Sequence, residues 1–263
     1  MQQYLKENRS YLQSEAFSET GKVCHGFTGS VGGVSRGKIS GLNLGFRVGD
    51  NPDSVRENYC LVAEDLSMPP MRIVAARQTH TDHILVVDEK DAGKGVFRES
   101  DIFDTDGLVT DCKNLPLMVF AADCVPVLLF DPIREVIAAV HSGWRGTVQN
   151  IGGKAVKLME TQFGTNPKNI LAAIGPSIGP CCFTFGKADA EVFPDRYQTP
   201  QSAEKVLIDI WAMNRDLLTG AGVLPGHIDC AEVCTVCHKD EYYSYRMHKE
   251  HTGRQGAVIM LKE

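Results

Sequence analysis

Leu115-Pro116-Leu117-Met118-Val119-Phe120-Ala121-Ala122 and Val125-Pro126-Val127-Leu128-Leu129-Phe130 are two apolar runs separated by Asp123-Cys124. A third run, Val136-Ile137-Ala138-Ala139-Val140, follows the turn at Asp131-Pro132 and leads directly into His141-Ser142-Gly143-Trp144-Arg145-Gly146. Runs of this length and β-branched content, bounded by turn residues, are read as buried strands. Pro126 has no N–H to give a ladder, so the interruption at Asp123-Cys124 is read as a kink or an edge. In an unbroken strand Asp123 and Cys124 would face opposite sides, and only such a kink lets them share a site.

Outward from this stretch the elements alternate. Asp50-Asn51-Pro52-Asp53 starts a helix whose apolar positions are Val55, Tyr59, Val62, Ala63 and Leu66. Short strands are expected at 73–76 and 83–87, with a charged surface loop over 88–105. A helix is expected from about Thr147 to Phe163, and a strand over 170–174. A second helix is expected over 203–218, capped by Ser202 with Glu204, followed by strands at 229–234 and 257–261. The Gly-rich segment 24–49 matches no Walker loop or dinucleotide fingerprint and reads as tight turns. Residues 1–20 read as a lead-in, and 21–263 as one domain of mixed α+β type.

Composition narrows the class. The 263 residues are 43% hydrophobic and 23% charged, enough to bury a sizeable core. The net charge of −6, with no concentrated basic face, argues against nucleic-acid binding. No segment reads as a signal peptide or is long enough to span a bilayer. Nine scattered cysteines fit a reducing compartment, so a cytoplasmic protein is expected.

Three donors stand at strand ends: His80 after Ile73–Ala76, Cys124 at the break, and His141 at the end of Val136–Val140. Two imidazoles and a thiolate are a zinc inventory, and three protein ligands leave a fourth position open for chemistry. The same set also suits copper. Each has a plainer reading: a surface histidine, a small buried thiol, a core histidine. A metal-free alternative uses Cys124 as nucleophile, His141 as base and Asp123 as orienting carboxylate. A second metal candidate is Cys230, Cys234, Cys237 and His238, with His248-x-x-His251 a weaker third. Arg77 and Arg145 are candidates for an anionic group, because a guanidinium fork matches phosphate. Trp144 reads as a packing anchor.

His80, Ala121-Ala122-Asp123-Cys124-Val125-Pro126 and His141-x-Gly143-Trp144-Arg145-Gly146 resemble the signature segments of the YfiH/YlmD family, once called multicopper polyphenol oxidases. The likeness continues through Asn43-Leu44-Gly45, Asp106-Gly107-Leu108-Val109-Thr110, Ile178-Gly179-Pro180-Cys181-Cys182, Cys234-Thr235, Ser244-Tyr245-Arg246 and Thr252-Gly253-Arg254. The resemblance implies a β-sandwich core flanked by helices, the YfiH-like cysteine-hydrolase fold. It implies a zinc-dependent purine nucleoside phosphorylase acting on adenosine, inosine, guanosine and S-methyl-5′-thioadenosine, with adenosine deaminase activity. The metal ligands it implies are His80, Cys124 and His141. Phosphate or ribose contacts then fall to Asn43, Arg77 and Arg145, and proton transfer to Asp123. Three positions depart from the family pattern: Thr28-Gly29-Ser30 lacks an arginine, Thr81 replaces a glycine, and Met247–His251 replaces an Arg-Asp-Gly-like stretch. Two further functions stay open, a metal-free hydrolase acting on an amide such as a peptidoglycan precursor, and a zinc-stabilised regulatory binding protein. Oligomeric state is not legible.

Overall fold

The computed structural model describes residues 1–263. Fifteen strands form along the chain: β1 Gln2–Lys6, β2 Arg9–Gln13, β3 Val23–Thr28, β4 Val74–Ala75, β5 Ile84–Val86, β6 Gly107–Thr110, β7 Leu117–Ala121 and β8 Val125–Asp131; then β9 Val136–Ser142, β10 Leu171–Ile174, β11 Thr184–Gly186, β12 Gln198–Pro200, β13 Lys205–Ile208, β14 Ile228–Cys230 and β15 Gln255–Leu261. Six α-helices accompany them: α1 Glu15–Glu19, α2 Pro52–Asp65, α3 Trp144–Val148, α4 Ile151–Phe163, α5 Ile210–Gly220 and α6 Tyr245–His248.

Two six-stranded sheets carry the fold, in the orders β1-β2-β3-β15-β7-β4 and β14-β10-β8-β9-β6-β5, with a small third sheet β11-β13-β12. The period of two along each strand decides the layering. Leu117 and Val119 of β7 and Ile259 of β15 face Leu128, Phe130, Ile137 and Ala139 of the other sheet, forming the core between the sheets. The alternate residues face outward: Met118, Val258 and Met260 meet α2 through Tyr59, Val62 and Ala63. Val127, Leu129, Val136 and Ala138 meet α4 and α5 through Ala155, Met159, Met213 and Leu218. Because helices cover the outer face of both sheets, the central strands are apolar on both sides, which is why they read as continuous runs. The fold is the mixed α+β sandwich flanked by helices that the resemblance implies.

Several boundaries differ from expectation. Within residues 1–20, expected as a lead-in, β1 pairs with β2, and β2 with β3, at the edge of the first sheet. The helix expected over 203–218 starts later, because Lys205–Ile208 is held as a strand between β11 and β12. Its cap is Asp209, whose side chain accepts from the Ala212 N–H, and not Ser202. The helix expected from Thr147 begins earlier, at Trp144, and breaks at Asn150, which takes φ 60° and caps α4 through the Gly153 N–H. The strand expected at 229–234 is only Ile228–Cys230. Within the glycine segment, a Cβ at Gly33 would stand 2.2 Å from the Gly41 carbonyl, so close backbone approach is the reason for glycine there.

Candidate active site

The chain passes from one sheet to the other at two neighbouring places. The β4–β5 connection leaves the first sheet and enters the second, and the β7–β8 connection does the same. Both corners need left-handed backbone: His80 has φ 66° and Asp123 has φ 85°. The kink expected at Asp123-Cys124 is therefore the corner itself. His141 lies on β9, opposite Pro126 of β8, and so reaches the same end of the sandwich.

The donor atoms of His80, Cys124 and His141 lie within 4.8 Å of one another. Cys124 Sγ is 3.7 Å from His80 Nε2, and the two imidazoles meet edge to face at 4.9 Å. Gly143 forms the floor. A Cβ there would stand 2.8 Å from His80 Cδ2 and 3.2 Å from Cys124 Sγ. Since Gly143 has φ −61°, space and not backbone conformation requires the glycine.

The carboxylate that organises the site is Asp106, which in the sequence stands only as the first residue of one segment of the family likeness. It is fully buried, and its Oδ1 lies 2.7 Å from His141 Nδ1, which fixes the imidazole and leaves Nε2 free. It also accepts the N–H groups of Thr79, His80 and Thr81 and the hydroxyl of Thr81. Thr81, where the family pattern has glycine, thus becomes part of the support for His141. Burial pushes the Asp106 carboxyl up, yet the His141 and Thr81 donors prevail and hold it down to about 2. Burial likewise pushes the Cys124 thiol up, but the His141 and His80 imidazoles outweigh it and favour the thiolate. Burial pushes the His141 imidazole down, and the Cys124 thiolate and Asp106 reverse this.

The triad opens into a cleft of about 820 Å³. Seven arginines line it: Arg47, Arg56, Arg77, Arg98, Arg145, Arg246 and Arg254, against a single lining carboxylate, Asp123. Arg77 lies over the Phe103 ring and Arg145 over the Trp144 ring at 4.3 Å, with no carboxylate paired to either. Trp144 packs on Phe185 and Phe193, the anchor role expected of it. The segment 88–105 contributes Val96 and Ile102 to the cleft wall. Both are buried, so the charged surface loop expected here anchors itself to the cleft through two apolar side chains while most of its other residues stay at the surface.

Two expected contacts fall elsewhere. Asn43 is fully buried behind the wall. Its amide N–H groups donate to the Gly45 carbonyl and Asp50, and its oxygen accepts from the N–H groups of Gly45 and Arg254. It positions Arg254 and has no group left for a ligand. Asp123 accepts from the Thr235 hydroxyl at 2.7 Å and from the Arg246 N–H at 2.6 Å, one bond per oxygen. It ties the corner to the C-terminal segment, and its engaged oxygens argue against a proton-carrying role. The Thr28–Ser30 departure lies outside the cleft, where Thr28 Oγ1 accepts from the Gly256 N–H. Arg246 and Arg254 belong to segments of the family likeness that carried no assigned role.

The multi-copper polyphenol oxidoreductase laccase family model matches residues 24–262. The chain belongs to this family. A relative from Bacteroides thetaiotaomicron, a purine nucleoside phosphorylase by name, is 33% identical over 265 residues, covering 98% of both chains. Adenosine deaminase RL5, from an unknown prokaryotic organism, is 33% identical over 257 residues, covering 94% of each. The crystal structure of the Bacillus licheniformis hypothetical protein YfiH superposes with a TM-score of 0.91 at 34% identity, covering 98% of this chain and 97% of that one. This member of the family has no helix long and apolar enough to cross a membrane.

Proposed function

We propose that this protein is a zinc-dependent purine nucleoside phosphorylase whose reaction centre is the His80–Cys124–His141 corner. The observation that carries the reading is the convergence of three metal donors on a cleft lined by arginines with almost no opposing carboxylate. The donor set fits the metal: two imidazoles and a thiolate suit zinc and leave one coordination position open, and Gly143 keeps the space between them clear of side chain. Copper remains compatible with the same donors. When bound, the metal supplies a Lewis acid facing the cleft.

In phosphorolysis a phosphate oxygen bonds to the ribose C1′, the bond from C1′ to the purine nitrogen breaks, and the base leaves with the electron pair and takes a proton. Arg77 and Arg145 hold the phosphate, each with an unpaired guanidinium facing the cleft. The aromatic lining from Phe46, Phe103, Phe120 and Tyr245 gives the purine apolar faces and excludes water from one side of it. Asp106 holds His141 in one tautomer, and Asp123 holds the backbone beside Cys124. Adenosine, inosine, guanosine and S-methyl-5′-thioadenosine are the substrates to assay, and adenosine deamination at the same centre is the second activity.

The Asp106–His141–Cys124 chain supports one further reading, a metal-free cysteine hydrolase with Asp106 in the orienting place first given to Asp123. One experiment separates the two. The purified protein is assayed on inosine and adenosine with and without phosphate, before and after chelation. Base release that needs phosphate and disappears with the metal supports the phosphorylase. Undiminished activity in metal-free protein overturns it.

A further inference from the structure

The second metal candidate in the sequence was Cys230, Cys234, Cys237 and His238. The structure breaks that set and assembles another. β10 and β14 are parallel neighbours, so the loops that follow them leave the same end of the sheet side by side. Ser177 donates its N–H to the Val233 carbonyl, and the Thr235 N–H donates to the Ser177 carbonyl, zipping the two loops together. A tight turn in the first loop, with the Cys182 and Phe183 N–H groups both donating to the Gly179 carbonyl, presents Cys181 and Cys182. The second loop presents Cys234 and Cys237. Cys230 stays in β14, and His238 turns its Nδ1 to the Cys234 carbonyl at 3.0 Å.

We propose that Cys181, Cys182, Cys234 and Cys237 form a second, structural zinc site that fastens these two loops behind the cleft. The four sulfurs lie within 4.8 Å of one another, and Cys237 Sγ is 3.6 Å from both Cys181 Sγ and Cys182 Sγ. A tetrahedral shell with zinc–sulfur bonds of about 2.3 Å has sulfur–sulfur edges of roughly 3.8 Å. A disulfide instead needs about 2.05 Å between sulfurs. The spacing found is that of a metal shell. The Gly179 N–H donates to Cys234 Sγ at 3.3 Å, the kind of bond that supports a metal-bound thiolate. Cys181 and Cys237 are exposed, so the ion enters and leaves through solvent.

Zinc replaces the thiol protons, which pass to solvent, and no oxidant or reductant is required. Four thiolates close the shell, so this site holds structure and carries no substrate. Thr235, between Cys234 and Cys237, donates to Asp123, and the Ile178 N–H donates to the Asp123 carbonyl at 2.8 Å. These two bonds join the fastened loops to the corner on which Cys124 stands.

The test uses the full chain carrying Cys124→Ala, which removes the thiolate from the cleft site. The reduced protein is titrated with cobalt(II) alone. The expected result is about one ion per chain, with intense thiolate-to-cobalt charge transfer and tetrahedral visible bands, displaced by zinc. Adding Cys237→Ser or Cys181→Ser, both at exposed positions, should weaken cobalt binding on the order of 100-fold and abolish the rise in Tm that the metal produces. Adding Cys230→Ser should change neither. No thiolate–cobalt band in the reduced protein overturns the proposal. So does loss of the band with Cys230→Ser but not with Cys237→Ser. An as-purified protein lighter by two hydrogens, with a disulfide to Cys237 that excludes metal, also overturns it.

Discussion

Two clusters of metal donors, one at the sheet-to-sheet corners and one on the loops after β10 and β14, differ in nearly every respect. The His80–Cys124–His141 corner mixes nitrogen and sulfur, has three donors, leans on a buried carboxylate and opens into an arginine-lined cleft. The Cys181–Cys182–Cys234–Cys237 cluster is all sulfur, has four donors, leans on a backbone N–H and lies between two loops with two of its thiols exposed. The contrast teaches that donor count and surroundings separate a site built for chemistry from one built for support. Three donors beside a cleft leave a position for a reactant, whereas four close upon themselves.

Losing the central thiolate is the severest way to break that contrast. Cys124→Ala should lower phosphate-dependent nucleoside turnover on the order of 10³-fold while leaving the other cluster's metal in place. Turnover against metal content measures both, and retained activity would overturn the corner as the reaction centre. Gly143→Val fills the floor between His80, Cys124 and His141, and should weaken metal binding at the corner by about 100-fold or more with the fold retained, read by chelator competition and circular dichroism. Asp106→Asn removes the charge that holds His141 and should lower metal affinity roughly 10- to 100-fold. An unchanged affinity would show that the imidazole is fixed by packing alone.

Acid titrations of either cluster must be separated from a pH effect that belongs to neither. His25 is buried against Phe17, accepts the Ser14 N–H at 2.8 Å, and is pushed by burial to about 4. Its folded value lies below its ordinary value, so the unfolded chain takes up the proton first as pH falls. Stability is then full above about pH 6.5 and declines toward pH 4, by up to about 3 kcal/mol. Denaturant midpoints for the parent and His25→Asn over this range check it, and parallel slopes would discount His25. The smallest effect concerns the link between the clusters. Thr235→Val removes the donor to Asp123 and should cost about 1–2 kcal/mol in folding stability without changing metal content at the corner. A matching loss of metal there would show that the two clusters are coupled, not merely adjacent.

Much of this was legible in the chain itself. The apolar runs at Leu115–Phe130 and Val136–Val140, the break at Asp123-Cys124 and the capped helix at Asn51-Pro52 all appear in the structure close to where their patterns place them, because each depends on neighbours a few residues away. The segment 203–218 departs from its pattern for the opposite reason. Its Lys205–Ile208 part has helical spacing, but pairing with β11 and β12 decides its conformation.

The sequence by itself determined the inventory: three strand-end donors, cysteines in the pairs 181–182 and 234–237, arginines beside the corner, and runs apolar enough for a covered sandwich. Only the tertiary structure decided how they are used. It made Asp106 the partner of His141, across 35 residues of chain, and bound Asn43 and Asp123 into the scaffold. It also joined Cys181 and Cys182 to Cys234 and Cys237 in place of Cys230 and His238. The reason is physical. Local patterns fix which face a residue occupies, whereas a donor's role depends on which distant strand or loop arrives beside it, and that is set by sheet pairing and by the two sheet-to-sheet corners.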